Sequence, residues 1–165
     1  MHKSKSNRRS FMRGSLAGTL AAGTAAFALP AGAAAAPGAQ KKVITRPGQP
    51  ITPASLFSPA IQFGDLLFVS GAGAHDPETH KVVPGPIANQ VKQCLENIKA
   101  VLEAGGSSLD KVLKCTVFLT NIANFQAMNE VYHQYFATNP PARSTIAVKD
   151  LPGESPVEIE CIAYV

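Results

Sequence analysis

Apolar residues recur with a helical period in two segments of the chain. The first covers residues 87–102, where apolar side chains three and four positions apart predict an amphipathic helix that stops at Gly105-Gly106. The second follows Asn121 or Asn124, either of which has the side chain of a helix N-cap, and ends before the Asn-Pro-Pro at 139–141. Its apolar stripe consists of Phe125, Met128, Val131, Tyr132, Tyr135 and Phe136.

Runs of β-branched and aromatic residues predict the strands of a single sheet. The predicted strands are a short one around Val43-Ile44 and residues 60–63, 66–70, 112–119, 144–148 and 157–165. Residues 71–86 contain three Pro and three Gly, which predict a loop. Read along the chain as ββαβαβ, the elements predict one α+β domain in which two helices cover one face of a four- to five-stranded sheet.

The last predicted strand indicates what covers the other face of the sheet. One side of this strand is entirely apolar, and the other mixes carboxylates with large apolar groups, namely Glu158, Glu160, Ile162 and Tyr164. A fully solvated face does not need Ile162 and Tyr164. We therefore expect an oligomer that buries part of it.

Charge is distributed unevenly along the chain. Residues 1–40 contain five Lys and Arg and no acidic residue, whereas residues 41–165 hold ten basic and eleven acidic residues and carry a net charge of −1. The overall charge of +4 therefore belongs to the N-terminal segment. Because the remainder has no net charge with which to attract phosphates, a nucleic-acid partner is not expected.

The N-terminal segment has the three-part layout of a signal peptide. A basic start is followed by an Ala-rich stretch from about Gly14 to Leu29 and by small residues after Pro30, which predicts a signal peptide over residues 1–36. Arg8-Arg9 before Ser-Phe-Met is typical of the twin-arginine type. Export to the periplasm or the exterior is expected, and the stretch is too weakly apolar to predict a stable membrane anchor. An extended arm at 37–53 and a domain at 54–165 follow.

The cysteines do not indicate a disulfide framework or a metal site. Cys94, Cys115 and Cys161 are odd in number, lie in apolar surroundings and form no C-x-x-C or zinc-type spacing. We expect three buried, reduced thiols. The histidines at 75, 80 and 133 have no suitably spaced partner either, and we interpret them as loop or surface residues.

Two side chains are candidates for chemistry. Arg143 follows Pro-Pro-Ala just before a predicted strand, so its guanidinium is held rigidly enough to grip a carboxylate with two hydrogen bonds. The alternative is an ordinary ion pair with Asp150 or Glu154. Glu158 shares a strand face with Glu160; it is either simply solvated or, if that face is an interface, desolvated enough to act as a general base.

Three stretches resemble the reactive intermediate deaminase family, RidA or YjgF, in sequence, order and spacing. They read FGDLLFVSGAGAHDPETHKVV, QVKQCLENIKAVLEAGGSSLDKVLKCTVFLTNIANFQAMNEVYHQYF and NPPARSTIAVKDLPGESPVEIECIAYV. The resemblance covers about residues 54–165, and the pairing of Ala-Arg-Ser-Thr with Val-Glu-Ile-Glu is fairly specific for the family. It implies a chorismate-mutase-like unit that forms homotrimers with clefts between subunits. It also implies hydrolysis of small 2-imino acids to 2-oxo acids and ammonia, with no metal or organic cofactor.

The resemblance also implies roles for individual residues. Arg143 would hold the substrate carboxylate, and Glu158 would orient or activate the water. The remaining substrate-binding positions would be Phe57, Ser70, Gly71, Asn129 and Thr145. Phe57 stands where the family has Tyr, in Ser-Leu-Phe-Ser rather than Gly-Pro-Tyr-Ser, so the ring is kept and the hydroxyl is lost. A non-catalytic trimer that binds small carboxylate ligands therefore remains the alternative.

Overall fold

The computed structural model describes residues 40–165 of the chain, which form one α+β unit. The predicted signal peptide lies outside these described residues. The elements are β1 (Lys42–Ile44), β2 (Ala60–Phe63), β3 (Leu66–Gly73), α1 (Ile87–Ala104), β4 (Val112–Leu119), α2 (Phe125–Tyr135), β5 (Ala142–Ala147) and β6 (Val157–Tyr164).

The strands form one six-stranded sheet in the order β1-β2-β3-β6-β4-β5. Every neighbouring pair is antiparallel except β4 and β5, which are joined through α2 and run parallel. The sheet has six strands rather than the expected four or five, although each lies close to a run that the sequence predicts as a strand. Counting the short β1 and both strands after α2 gives the order βββαβαββ, which the description ββαβαβ shortens.

Both helices pack on one face of the sheet, which confirms the predicted fold class. α1 contacts β3, β6 and α2, and it buries the apolar side that its sequence predicts. In β6, Val157, Ile159, Cys161 and Ala163 are buried beneath the helices, and the residues between them face the other way. This alternation matches the prediction.

The ends of the helices follow local rules. α1 ends at Ala104 with Gly105 as its C-cap, and Gly106 then adopts a left-handed φ of 78°, a conformation that glycine enters without steric cost. The carboxamide oxygen of Asn121 accepts a hydrogen bond from the backbone N–H of Ala123 and starts a short 3₁₀ turn that leads into α2. Asn124 makes no such cap.

The face of the sheet opposite the helices, called the open face from here on, carries exposed apolar side chains. Phe68 on β3 and Tyr164 on β6 are each 43% exposed in the single chain. The other large exposed apolar residues on this face are Val43, Phe63, Leu66 and Ile146. An apolar area of this kind is typical of a protein interface.

Two strand boundaries differ from the predictions. β3 continues past Ser70 to Gly73, because Ala72 and Gly73 pair with β6 beyond a bulge, so the predicted loop begins later. β5 begins at Ala142, and Arg143 therefore lies within the strand rather than before it. No helix of the described residues is long and apolar enough to cross a membrane.

Candidate functional site

Arg143 is held by side chains of α2, none of which is negatively charged. Its Nη2 donates a hydrogen bond to Oδ1 of Asn129 at 2.6 Å, and Nη1 lies 3.8 Å from the sulfur of Met128. Its guanidinium carbon lies 4.5 Å from the ring centroid of Tyr132, in cation–π contact. These contacts fix the orientation of the guanidinium while leaving most of its N–H donors unused.

The structure contradicts an ion pair between Arg143 and Asp150 or Glu154. No ion pair within 4.0 Å occurs among residues 40–165. Arg143 instead lines a cavity of about 330 Å³ together with Asn129, Tyr132, His133, Phe136, Pro140 and Pro141. A partly buried cation without a counter-ion beside a cavity is suited to binding an anion.

Thr145 lies two residues after Arg143 on the same face of β5, as its pairing with Val117 shows. Its hydroxyl oxygen is buried and has no hydrogen-bond partner among the described residues. Thr145 lines neither this cavity nor the one described next.

Glu158, the second candidate for chemistry, lies next to Gly71. A Cβ placed on Gly71 would lie 2.7 Å from the carboxyl carbon of Glu158, so the absence of a side chain at Gly71 leaves room for the carboxylate. Burial raises the pKa of Glu158, repulsion from Glu160 adds to the rise, and attraction to His75 opposes it. Glu158 is therefore partly desolvated rather than simply solvated.

A second, larger cavity of about 580 Å³ contains Glu158 together with Phe57, Ser70 and Gly71. The hydroxyl of Ser70 donates to the backbone oxygen of Ser58 at 2.7 Å, which ties the segment before β2 to β3. Phe57 is 69% exposed in the single chain. These are four of the seven residues that the resemblance assigns to a single site.

A single chain does not bring Arg143 and Glu158 together. Arg143 is in register with the buried Cys115, whereas Glu158 is in register with Phe118, so the two side chains lie on opposite faces of the sheet. Three residues along β4 and two strand spacings place their Cα atoms roughly 14 Å apart. One chain therefore contains two half-sites rather than one complete site.

Two residues of the larger cavity were not predicted from the sequence. As expected, His75 lies in the loop after β3; it is also half-buried in the cavity wall, with Nε2 2.9 Å from the backbone oxygen of Gly153. Arg46 also lines the cavity, and its Nε is buried without a partner among residues 40–165. His80 and His133 are exposed, as expected.

The three cysteines are free and buried, which matches the prediction. Burial raises the pKa of each thiol, so these groups remain protonated and unreactive. Within the described part of the chain, no cluster of three His, Cys, Asp or Glu side chains could hold a metal ion.

Comparison with known proteins identifies the family. The sequence model described as endoribonuclease L-PSP matches residues 48–165. The chain belongs to this family. A RutC family protein of Pyrococcus horikoshii is 46% identical over 124 residues, which are 75% of this chain and 98% of that protein. A protein of Dermatophagoides farinae named 2-iminobutanoate/2-iminopropanoate deaminase is 38% identical over 127 residues, covering 76% of this chain and 97% of that protein.

Solved structures of the endoribonuclease L-PSP family share the fold. The crystal structure of RidA from an Antarctic Psychrobacter species superposes with a TM-score of 0.69 at 36% identity, covering 75% of this chain and 99% of that one. Homotrimers with small-molecule ligands are typical of the family, and its named deaminases make imine deamination a family activity. An oligomer of this kind would bury the apolar open face.

Proposed function

We propose that this protein is a homotrimeric hydrolase that converts small 2-imino acids to 2-oxo acids and ammonia. The proposal rests on the surroundings of Arg143. Its guanidinium is oriented by Asn129 and Tyr132 and has no carboxylate partner among residues 40–165. A guanidinium held in this way binds a carboxylate with two parallel hydrogen bonds. The deaminase name of the Dermatophagoides farinae relative supports the choice of substrate.

A trimer provides a reason for the separation of the two half-sites. Arg143 and Glu158 lie on opposite faces of one sheet, so a complete site requires Arg143 of one subunit and Glu158 of a neighbour. The apolar open face supplies the surface that the neighbouring subunits would bury. Phe57 is exposed in the single chain and would be covered by the same association.

In the proposed reaction, Arg143 holds the carboxylate of the imino acid and fixes the imine carbon next to a water molecule at Glu158. As the water adds to the carbon, Glu158 accepts a proton from the water and the imine nitrogen takes up one from the surroundings, which gives a carbinolamine. Glu158 then returns its proton to the nitrogen, the carbon–nitrogen bond breaks to release ammonia, and the hydroxyl proton is lost to the surroundings as the carbonyl forms. Fixed placement of the reactants can lower the barrier by ~7 kcal/mol or more, and acid–base catalysis contributes about 10²–10⁴-fold.

The activity is tested by generating 2-iminobutanoate or 2-iminopropanoate in place with an amino-acid oxidase. Capture of the remaining imine by semicarbazide competes with hydrolysis and reports its lifetime. We expect wild-type protein to shorten this lifetime and the Arg143→Ala and Glu158→Gln variants to lose the effect. Identical imine lifetimes with wild-type protein and with Arg143→Ala would contradict the proposed role of Arg143.

Sharing of the site between subunits is tested by mixing two inactive variants. In heterotrimers reassembled from equal amounts of Arg143→Ala and Glu158→Gln chains, each site draws its two residues from different chains. About a quarter of the sites then contain both native residues, so we expect about a quarter of wild-type activity. No recovery in verified heterotrimers would mean that both residues of a site come from one chain.

A non-catalytic trimer that binds small carboxylates is the second candidate, and the missing hydroxyl of Phe57 favours it. The two candidates differ in turnover and share the Arg143 contact. A rise in melting temperature with 2-oxobutanoate, abolished by Arg143→Ala and accompanied by no change in imine lifetime, would select the binding protein. RNA cleavage, which the family's description names, has no support in the net charge of −1 over residues 41–165.

We also propose that the protein is exported through its twin-arginine-type N-terminal sequence. The support is the order of basic, Ala-rich and small residues over residues 1–36. Cell fractionation and mass measurement of the exported form test this proposal. Replacement of Arg8 and Arg9 by Lys should retain the full-length chain in the cytoplasm, and unchanged export of that variant would contradict the assignment.

A further inference from the structure

The imidazole of His75 is fixed in the wall of the Glu158 cavity by contacts at both its ring and its backbone. Nε2 lies 2.9 Å from the backbone oxygen of Gly153. The backbone oxygen of His75 accepts a hydrogen bond at 2.9 Å from the carboxamide of Asn97, which also donates to the oxygen of Gly73 at 3.0 Å. Asn97 is itself buried, so this arrangement is rigid rather than a chance contact of an exposed loop.

Two glycines leave the space that the ring occupies. A Cβ on Gly73 would lie 2.8 Å from Nδ1 of His75, and a Cβ on Gly153 would lie 2.7 Å from Nε2. Both distances are shorter than real side chains allow. Gly153 also adopts a left-handed φ of 66°, which disfavours other residues there. Gly73 and Gly153, which are far apart in the sequence, therefore both leave room for this imidazole.

The contact with Gly153 determines which ring nitrogen carries the proton. A carbonyl oxygen only accepts hydrogen bonds, so Nε2 is the donor, and in the neutral ring Nδ1 is left as an acceptor. Among the hydrogen bonds of residues 40–165, none uses Nδ1. The ring can gain a proton at Nδ1 and lose it again without giving up its contact with Gly153.

The surroundings of His75 are those of an acid–base group. Glu158 lies close enough for an attraction between the two side chains to counteract the rise in the pKa of Glu158. The other titratable groups that line the cavity are Arg46 and His80. Neither makes a hydrogen bond to the His75 ring, and Nδ1, which lies next to Gly73, has no hydrogen-bond partner among residues 40–165.

We propose that His75 is a second catalytic acid–base group, which exchanges a proton at Nδ1 with the substrate; this inference rests on the deaminase function proposed above. As water adds to the imine carbon, Glu158 accepts a proton from the water and protonated His75 donates one to the nitrogen. As the carbinolamine collapses, Glu158 returns its proton to the nitrogen and Nδ1 of His75 accepts the hydroxyl proton. The carbon–nitrogen bond breaks, ammonia leaves, and both side chains regain their initial states.

The first test is the pH dependence of kcat/KM in wild type and in His75→Gln. Because His75 must start protonated, kcat/KM of wild type should fall on the alkaline side, and His75→Gln should lose this limb together with about 10²-fold in kcat. His80→Asn is the matched control, since it removes an imidazole lining the same cavity and Asn tolerates the left-handed φ of 59° found there. This control should retain the alkaline limb.

The second test uses wild-type protein labelled with ¹⁵N-histidine and needs no variant. We expect the neutral ring of His75 to carry its proton on Nε2 and its Nδ1 resonance to move when 2-oxobutanoate binds. Active wild type with an unchanged pH profile in His75→Gln would overturn the role of His75 and leave the deaminase proposal intact. Binding of 2-oxobutanoate without a change in the Nδ1 resonance of His75 would also overturn the role of His75 and leave the deaminase proposal intact. A wild type that neither binds 2-oxobutanoate nor hydrolyses imines would overturn both proposals.

Discussion

Replacing Asn129 by Asp offers a sharp test of how Arg143 functions. Asn129 Oδ1 accepts a hydrogen bond from Arg143 Nη2 at 2.6 Å, so Asn129→Asp introduces a carboxylate of the same shape next to the guanidinium. Arg143, which has no ion-pair partner within 4.0 Å among the described residues, then acquires one inside its own subunit. That carboxylate competes directly with the carboxylate of the substrate.

The size of the effect follows from the kind of hydrogen bond that is changed. The present hydrogen bond already involves a charged donor, so the substitution mainly adds the Coulomb attraction of a charge pair, which is about 1 kcal/mol for charges 4 Å apart in water and larger where water is partly excluded. The guanidinium of Arg143 therefore becomes less available by about 1–2 kcal/mol. Since 1.4 kcal/mol corresponds to a factor of ten, we expect KM to rise about 5–30-fold.

The assay measures kcat and KM for 2-iminobutanoate hydrolysis together with the melting temperature. We expect kcat to change little because the substitution leaves the proposed acid–base group, Glu158, unaltered. The melting temperature should stay constant or rise, because the new pair lies within the folded subunit. Gln134→Glu is the matched control: it adds the same charge at an exposed position of α2 and should leave KM within about twofold.

Two results would refute this reasoning. If Asn129→Asp left KM unchanged while Arg143→Ala abolished activity, Arg143 would not be the group that binds the substrate carboxylate. If Gln134→Glu raised KM as much as Asn129→Asp, the effect would be a general repulsion of anions rather than competition at the guanidinium.

Three further predictions address the other half of the site and the interface. The pKa of Glu158 is raised by burial and by Glu160, so kcat/KM should rise with pH through a midpoint above the ordinary 4.5. In Glu160→Gln this midpoint should move to lower pH, and no movement would exclude the repulsion. Gly71→Ala should displace the Glu158 carboxylate and reduce kcat about 10²-fold with little change in melting temperature; full activity would show that the carboxylate need not lie there. Phe68→Glu should yield folded, inactive monomers in sedimentation experiments, whereas Ile122→Glu, outside the open face, should remain trimeric; an active Phe68→Glu monomer would contradict a shared site.

Patterns within a few residues predicted much of this fold. The alternation along β6 identified which of its residues are buried, and the spacing along α1 identified the side that packs on the sheet. Each of these features depends on neighbours in the chain and on a fixed helical or strand period. Strand order depends instead on contacts between distant segments, so the runs at 144–148 and 157–165 could be identified as strands, whereas the position of β6 between β3 and β4 could not.

The candidate site shows the same division. Arg143 and Glu158 could be singled out by residue type and local context, but their placement on opposite faces depends on the register of β5 and β6 against β4. His75 was missed because what distinguishes it is Gly153, 78 residues further along the chain. A weak local signal exists in the Gly-Ala-Gly-Ala-His sequence at 71–75, where glycines alternate with small residues in a strand.

The division of the site has a consequence for how stability and activity are related in this family member. Residues that face the helices stabilise the single subunit, whereas Glu158 and the apolar open face lie where a neighbouring subunit would pack. Association would desolvate Glu158 further and raise its pKa further above its ordinary value, because burial is already the main cause of the rise in one chain. The same step would supply Arg143, whose positive charge favours ionised Glu158. Assembly therefore brings two opposing effects on one carboxylate, and their balance sets the pH at which the assembled site can accept a proton from water.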